Sequence, residues 1–195
     1  MDFSQKFEPS RRILEAIAFD EDSFNGYMIL PGGNEEKGLA EAAQAGGMMG
    51  LMQQAREYYN RLDSNYRLPI ELHEAMNGEG GTFILLCEAM ANARIHGLKS
   101  QPGFYIVGTW MGRKGICFGF NDGGEYFKRP EIKETFERKL PVPEFDNGPH
   151  LPGGSRRVGV GEIYDYSDII EVDNKKGVLY CVQFLNRVFN IKKRD

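Results

Sequence analysis

The sequence lacks the features that mark membrane, secreted and metal-rich proteins. No apolar run approaches the roughly 18 residues of a membrane-spanning helix, and the N-terminus MDFSQKFEPSRR has no apolar secretion-signal core. The three cysteines, Cys87, Cys117 and Cys181, are odd in number, widely spaced and flanked by apolar residues. This pattern favours reduced core thiols over a disulfide frame or a zinc site. We therefore expect a cytoplasmic protein without a membrane partner.

Excess positive charge is also missing. The 195 residues include 24 Lys and Arg against 28 Asp and Glu, which gives a net charge of −4. A nucleic-acid-binding surface requires a basic face, so nucleic acid is not an expected partner. The composition, 41% hydrophobic and 27% charged, is that of a folded domain rather than a disordered chain.

Several nucleotide-binding and hydrolase motifs are absent. The sequence contains no G-x-x-x-x-G-K-[S/T] P-loop and no G-x-S-x-G nucleophile elbow. His73, His96 and His150 lie far apart and outside any H-E-x-x-H or Cys/His array, so a zinc hydrolase is not indicated. Gly159-Val160-Gly161 begins like a dinucleotide fingerprint, but Tyr164 stands at the position of the third glycine.

The pattern of apolar and turn-forming residues predicts an α+β fold. Helices are expected over residues 10–18, 38–62, 82–96, 130–140 and 159–167, with Thr82 as N-cap and Gly97 as C′ residue of the third. Hairpins are expected from 104–110 with 116–120 and from 169–172 with 178–184. We predict a two-layer α/β sandwich, a mostly antiparallel sheet covered by helices. Residues 1–35 are assigned to an N-terminal extension of unknown role, and residues 36–195 to the main domain.

A candidate site begins on the helix predicted over residues 82–96. At about 100° per residue, Glu88, Asn92 and His96 line one face, between flanking apolar residues. Polar groups on a buried helix need partners, so the three indicate either a cavity for a polar ligand or a polar stripe in solvent or in a core network. The helix alone does not decide between these alternatives.

Two glycine-containing segments favour the ligand alternative. Asp122-Gly123-Gly124 ends a predicted strand with a carboxylate that can accept a hydrogen bond from an exocyclic amine, beside glycines that admit a flat ring. Gly159-Val160-Gly161 opens a predicted helix, whose free N–H groups can receive phosphate oxygens. Taken alone, the first segment is more often an ordinary turn, and the second is a weak signal.

In this order, the segments resemble the motifs of the GHKL (Bergerat-fold) ATPases, which include DNA gyrase B, Hsp90, histidine kinases and anti-sigma serine kinases. Residues 88–97, E-A-M-A-N-A-R-I-H-G, match the N-box pattern E-x-x-x-N-A-x-x-H-G of bacterial anti-sigma kinases. Residues 122–124 match the start of D-x-G-x-G, and residues 159–168 resemble G-x-G-L-x-x-x-x-x-D. Gly177 and the strand after it resemble the closing G-T-x-x-x-x-F. The resemblance covers approximately residues 80–185.

The resemblance implies a histidine-kinase-like ATPase domain whose cofactors are ATP and Mg²⁺. Asn92 would bind Mg²⁺ through its side-chain carbonyl, because that ion prefers hard oxygen ligands. Glu88 would orient or deprotonate the attacking water or substrate hydroxyl. Asp122 would bind the adenine amine, and Gly124 would let the base lie against the backbone.

The resemblance also assigns residues to the phosphates. Gly159 and Gly161 would offer backbone N–H groups, and residues 121–157 would form the ATP lid, with Arg156 and Arg157 as candidates to meet the γ-phosphate. His96 occupies a position near phosphate in related proteins, with a structural role at the helix end as the alternative.

Three positions depart from the family pattern. Tyr126 stands at the second glycine of D-x-G-x-G, Glu162 replaces the leucine after Gly161, and Val178 replaces the threonine after Gly177. The resemblance implies an ATPase or serine/threonine protein kinase that regulates a partner, such as a sigma factor or an anti-anti-sigma-like protein; a homodimer is compatible with this. The departures leave open a second interpretation, a degenerate module that binds a regulatory protein without catalysis.

Overall fold

The computed structural model of the chain describes residues 7–31, 53, 55–61, 81–97, 103–139 and 158–185. The helices are α1 (Arg11–Ala16), α2 (Gly81–Asn92), α3 (Pro130–Glu137) and α4 (Val158–Asp165), and a π turn over Ala93–Gly97 continues α2. The strands are β1 (Phe24–Pro31), β2 (Phe104–Met111), β3 (Gly115–Asn121), β4 (Ile169–Asp173) and β5 (Val178–Phe184). Residues 53 and 55–61 are also helical. The predicted α+β fold is confirmed.

The five strands form one antiparallel sheet in the order β1-β2-β3-β5-β4. Both predicted hairpins, β2 with β3 and β4 with β5, are present, and the pairing of β3 with β5 joins them. Strand β1 pairs with β2 along its whole length, from Phe24 opposite Met111 to Pro31 opposite Phe104. The described part of the predicted N-terminal extension therefore supplies an edge strand, which the sequence pattern does not predict.

Helix α2 belongs to the layer that covers one face of the sheet. Ten of its 12 residues are buried, which explains why apolar residues surround it on nearly every side. Alternate strand residues such as Val107, Phe118 and Leu179 point into the same cluster, together with residues of α3 and α4. This packing is the helix-on-sheet layer that the sequence predicts.

Polar contacts fix the start of α2 to the sheet. The Thr82 hydroxyl donates to the side-chain oxygen of Gln183 on β5 at 2.7 Å, and the Gln183 amide donates to the Tyr166 carbonyl at 2.7 Å. The predicted N-cap role of Thr82 is wrong, because the helix begins at Gly81 and the hydroxyl is used in this tertiary bond. The predicted C′ role of Gly97 is also wrong, since Gly97 ends the π turn and lacks the positive φ of that position.

The N-terminal segment covers the opposite face of the sheet. Phe7 and Ile13 pack with Trp110 and Tyr180, whose side chains leave the sheet on that side. The Tyr27 hydroxyl donates to the Phe7 carbonyl at 2.5 Å and so fixes the segment to β1. Both faces of the sheet are therefore buried, one by the helical layer and the other by residues 7–17.

We expect Phe7→Ala to lower the free energy of unfolding by about 3 kcal/mol, because truncation of a buried phenylalanine removes apolar contacts and leaves a cavity. Phe7 is 3% exposed, and its ring lies 5.5 Å from that of Tyr27 and 6.0 Å from that of Trp110. Urea unfolding followed by fluorescence of Trp110, the chain's single tryptophan, measures the change. Ile29→Ala is the control, since Ile29 is 49% exposed. Equal losses in the two variants would contradict the packing of residues 7–17 on the sheet.

The described residues contain the reduced thiols that the sequence predicts. Cys87, Cys117 and Cys181 are all free and buried, and burial raises the pKa of Cys87 and of Cys181 to about 12, so both are protonated at neutral pH. Within the described ranges, no three His, Cys, Asp or Glu side chains converge as a metal-binding group. No helix in the same ranges has the length and apolar character needed to cross a membrane.

Candidate functional site

Three segments that are distant in sequence meet at the C-terminal end of α2. A Cβ atom added at Gly97 would lie 2.3 Å from the Cβ of Asp122, and one added at Gly124 would lie 2.1 Å from the Gly97 carbonyl oxygen. A Cβ added at Gly177, whose φ is +67°, would lie 3.5 Å from Asp122 Oδ1. Only glycine permits the contact between residues 97 and 124. The end of the predicted N-box, the D-x-G segment and the closing glycine therefore share one location.

Helix α4 brings the predicted phosphate-binding segment beside α2, against which it packs. Gly159 and Gly161 lie in the first turn of α4, where backbone N–H groups have no partner within the helix. A Cβ atom added at Gly161 would have no neighbour within 4 Å among the described residues. None of these residues therefore fills the space beside this glycine. The position of both glycines is compatible with the predicted contact to phosphate oxygens.

Glu88 is a half-buried carboxyl group on the side of α2 that faces α4. Burial raises its pKa above the ordinary value of 4.5, and the negative charge of Glu162 on α4 raises it further. Among the described residues, no Lys or Arg forms an ion pair with Glu88. A carboxylate with a raised pKa and no cation partner has the properties of a general base.

Asn92 lies one turn after Glu88 and is 7% exposed. Its side-chain nitrogen donates to the backbone carbonyl of Glu88 at 2.8 Å, which fixes the orientation of the amide. Within the described residues, the side-chain oxygen of Asn92 accepts no hydrogen bond and is the atom that could coordinate a hard cation. The structure thus keeps Glu88 and Asn92 together, as the sequence predicts.

His96 departs from the helix face that a regular α-helix would give it. The α-helical part of α2 ends at Asn92, and His96 lies in the π turn, where the hydrogen-bond spacing is wider. Its ring stacks on that of Tyr126, with centroids 5.0 Å apart and planes inclined by 24°. His96 therefore packs against the turn that follows Asp122.

Asp122 has no exposed surface. One carboxylate oxygen accepts the Gly124 N–H at 2.9 Å and the other accepts the Phe127 N–H at 3.0 Å. Burial raises the pKa of Asp122, although these N–H groups and the charge of Lys128 act in the opposite direction. The carboxylate holds its own turn in this structure, so the predicted contact with an adenine amine requires the turn to open.

Of the remaining predicted residues, the structure describes Asp168 but not the two arginines. Arg156 and Arg157 lie outside the described residues, as does the part of the predicted lid beyond residue 139. Asp168 lies just before β4, where its carboxylate accepts the Phe184 N–H at 2.8 Å and helps to hold the β4–β5 pair.

The three departures from the family pattern occupy different places. Tyr126 and Glu162 both belong to the candidate site, the first through its stacking on His96 and the second through its effect on Glu88. Val178 packs into the cluster on the opposite face of the sheet. The sequence does not predict the stacking of Tyr126 on His96. It shows only that an aromatic residue stands at a position where the family pattern has glycine.

Comparison of the sequence with protein-family models gives no match, and comparison with curated protein sequences gives none either.

Proposed function

We propose that this protein is an Mg²⁺-dependent ATP-binding domain of the GHKL type, with a Bergerat fold, that acts as an ATPase or a serine/threonine protein kinase regulating a partner protein. The observation that carries the proposal is the meeting of Gly97, Asp122, Gly124 and Gly177 at one end of α2. These residues come from three separate sequence motifs. Motif matches that arose by chance would not be expected to meet at one place in the fold.

The residues near this point fit a magnesium-bound triphosphate. Asn92 would hold Mg²⁺ through its side-chain oxygen, which accepts no hydrogen bond within the described residues. When bound, Mg²⁺ would supply positive charge that neutralises the phosphate oxygens. Gly159 and Gly161, in the first turn of α4, would donate backbone N–H groups to the same oxygens. The donor set therefore matches the chemistry of the proposed ligand.

Glu88 would act as the general base of the reaction. Its carboxylate is close to Asn92 in the helix, has no ion-pair partner among the described residues and has a raised pKa. In the ATPase form, Glu88 would orient a water molecule; in the kinase form, it would accept the proton of a serine or threonine hydroxyl. A regulatory protein, such as a sigma factor or an anti-anti-sigma-like protein, would be the partner that carries this hydroxyl.

The closed turn around Asp122 favours a second candidate function. Both carboxylate oxygens accept N–H groups of residues 124 and 127, and the side chain has no exposed surface. A chain that kept this arrangement permanently would offer no acceptor to an adenine amine. Such a chain would be a non-catalytic module that uses the fold to bind a regulatory protein.

Calorimetric titration with ATP separates the two functions. We expect saturable heat that requires Mg²⁺ and disappears with EDTA, together with a raised melting temperature; a ligand at 100 times its Kd stabilises by about 2.7 kcal/mol. GTP at the same concentration is the control for recognition of the adenine ring. The absence of heat and of thermal stabilisation up to millimolar ATP would reject the ATP-binding function and favour the binding module.

A further inference from the structure

Tyr126 lies against the end of α2, beside the point where the glycine-containing segments meet. Its side chain is 2% exposed, and its ring is nearly parallel to that of His96 at a centroid distance of 5.0 Å. The guanidinium carbon of Arg129 lies 5.9 Å from the same ring. A flat heterocycle such as a nucleobase stacks on side chains in this geometry. The ring of Tyr126 therefore occupies a stacking position on His96, a residue that is predicted to lie near the phosphates of the ligand.

The backbone beside Tyr126 is held independently of its ring. The Phe127 N–H donates to Asp122 at 3.0 Å, and the Phe127 ring packs on Phe136 of α3 at 6.1 Å. On the other side, the Arg129 N–H donates to the Tyr126 carbonyl at 3.2 Å. Rotation of the Tyr126 side chain would uncover His96 while these backbone contacts persist, at the cost of the contact between the Tyr126 and Phe127 rings, whose centroids are 5.3 Å apart.

The same turn encloses Asp122, the group predicted to bind the adenine amine, and Asp122 lies against Gly97, the residue after His96. Asp122, with no exposed surface, accepts N–H groups from within residues 124–127. The stacking surface of His96 and the carboxylate of Asp122 are thus both covered by the segment that contains Tyr126. A ligand ring that reached this place would have to replace the ring of Tyr126.

We propose that Tyr126 competes with the nucleobase for the face of His96, and that Tyr126 therefore sets the affinity and selectivity of the site for nucleotides. This inference rests on the proposed ATP-binding function. The described arrangement is then the closed form of the site, in which the ring of Tyr126 occupies the position that the nucleobase would take.

The test compares ATP affinity in Mg²⁺ for the wild type and three variants by calorimetry. Tyr126→Ala removes the competing ring and should bind ATP about tenfold more tightly, since an aromatic stacking contact is worth about one tenfold step in affinity. Tyr126→Phe keeps the stacking face and should stay within about twofold of the wild type. Tyr27→Ala removes the same ring on the opposite face of the sheet and should change stability without changing affinity.

The outcomes separate this inference from the proposed function. Tighter binding by Tyr126→Ala supports both, even where binding by the wild type is too weak to measure. If the wild type binds ATP and Tyr126→Ala binds it equally or more weakly, the competition is wrong while the proposed function stands. Absence of binding in the wild type and in every variant overturns both.

A measurement on the wild type covers the case in which Tyr126→Ala does not fold. Ring-proton NMR should show a contact between His96 and Tyr126 in the free protein, and this contact should disappear when ATP and Mg²⁺ are added. Persistence of the contact at saturating ATP would overturn the competition.

Discussion

Replacement of Asn92 by alanine should remove the Mg²⁺-dependent part of ATP binding while the protein remains folded. The side-chain oxygen of Asn92 is the proposed ligand for the metal, and a lost contact to a charged group is worth up to about 3 kcal/mol, or on the order of 10²-fold in affinity. The structural cost is small by comparison. The side chain donates one hydrogen bond, to the Glu88 carbonyl, and alanine is the better helix former.

Calorimetry in Mg²⁺ and in EDTA measures this effect. The wild type should bind ATP more tightly in Mg²⁺, and Asn92→Ala should show the same affinity in both buffers. Asn25→Ala, the same substitution at an exposed position on β1, is the matched control and should behave as the wild type. A metal effect that survives in Asn92→Ala would remove Asn92 from the proposed magnesium site, whatever the outcome for ATP itself.

Local patterns in the sequence predict most of the described fold. The two hairpins follow from β-branched and aromatic runs on either side of short polar turns, and their register is fixed because alternate residues face the helical layer. Helix α2 follows from a long run of helix-forming apolar residues. These elements depend on nearest neighbours along the chain, which is why the sequence alone is sufficient to predict them.

The pairing of β1 depends on distant parts of the chain. Residues 27–30 form a short apolar segment before Pro31-Gly32-Gly33, and no local signal shows that this part of the chain pairs with β2. The aromatic contacts of Phe7 with Tyr27 and Trp110 are likewise formed only in the folded chain. A sequence pattern identifies such residues as apolar but does not predict which residues they contact.

The candidate site shows the same division between local and distant information. Glu88 and Asn92 are one turn apart on a regular helix, so their proximity follows from helix geometry. The position of His96 does not follow, because the helix changes to a π turn after Asn92. The enclosure of Asp122 could not be predicted either, since it depends on how its turn folds back against Gly97.

Replacement of Glu88 by glutamine should reduce turnover by on the order of 10²- to 10⁴-fold while ATP binding in Mg²⁺ is retained, because removal of a general base has a cost of this size. Catalysis of phosphoryl transfer depends mainly on positioning and electrostatics, and glutamine preserves the shape of Glu88 but not its charge. Turnover by the wild type should also fall as pH decreases through the raised pKa of Glu88, because the base must be deprotonated. Glu15→Gln, the same substitution at an exposed position on α1, is the matched control and should retain turnover.

The melting temperature distinguishes this catalytic role from a purely structural one. Because the pKa of Glu88 is raised in the folded protein, the folded state favours the protonated form; this contribution to stability is present at low pH and is lost as pH rises through the raised pKa. Glutamine resembles the protonated form, so Glu88→Gln should melt at or above the wild-type temperature at neutral pH. A structural role predicts lower stability and a loss of activity in proportion to it. Turnover within a few fold of the wild type in Glu88→Gln, or the absence of turnover in the wild type, would show that Glu88 is not the catalytic base.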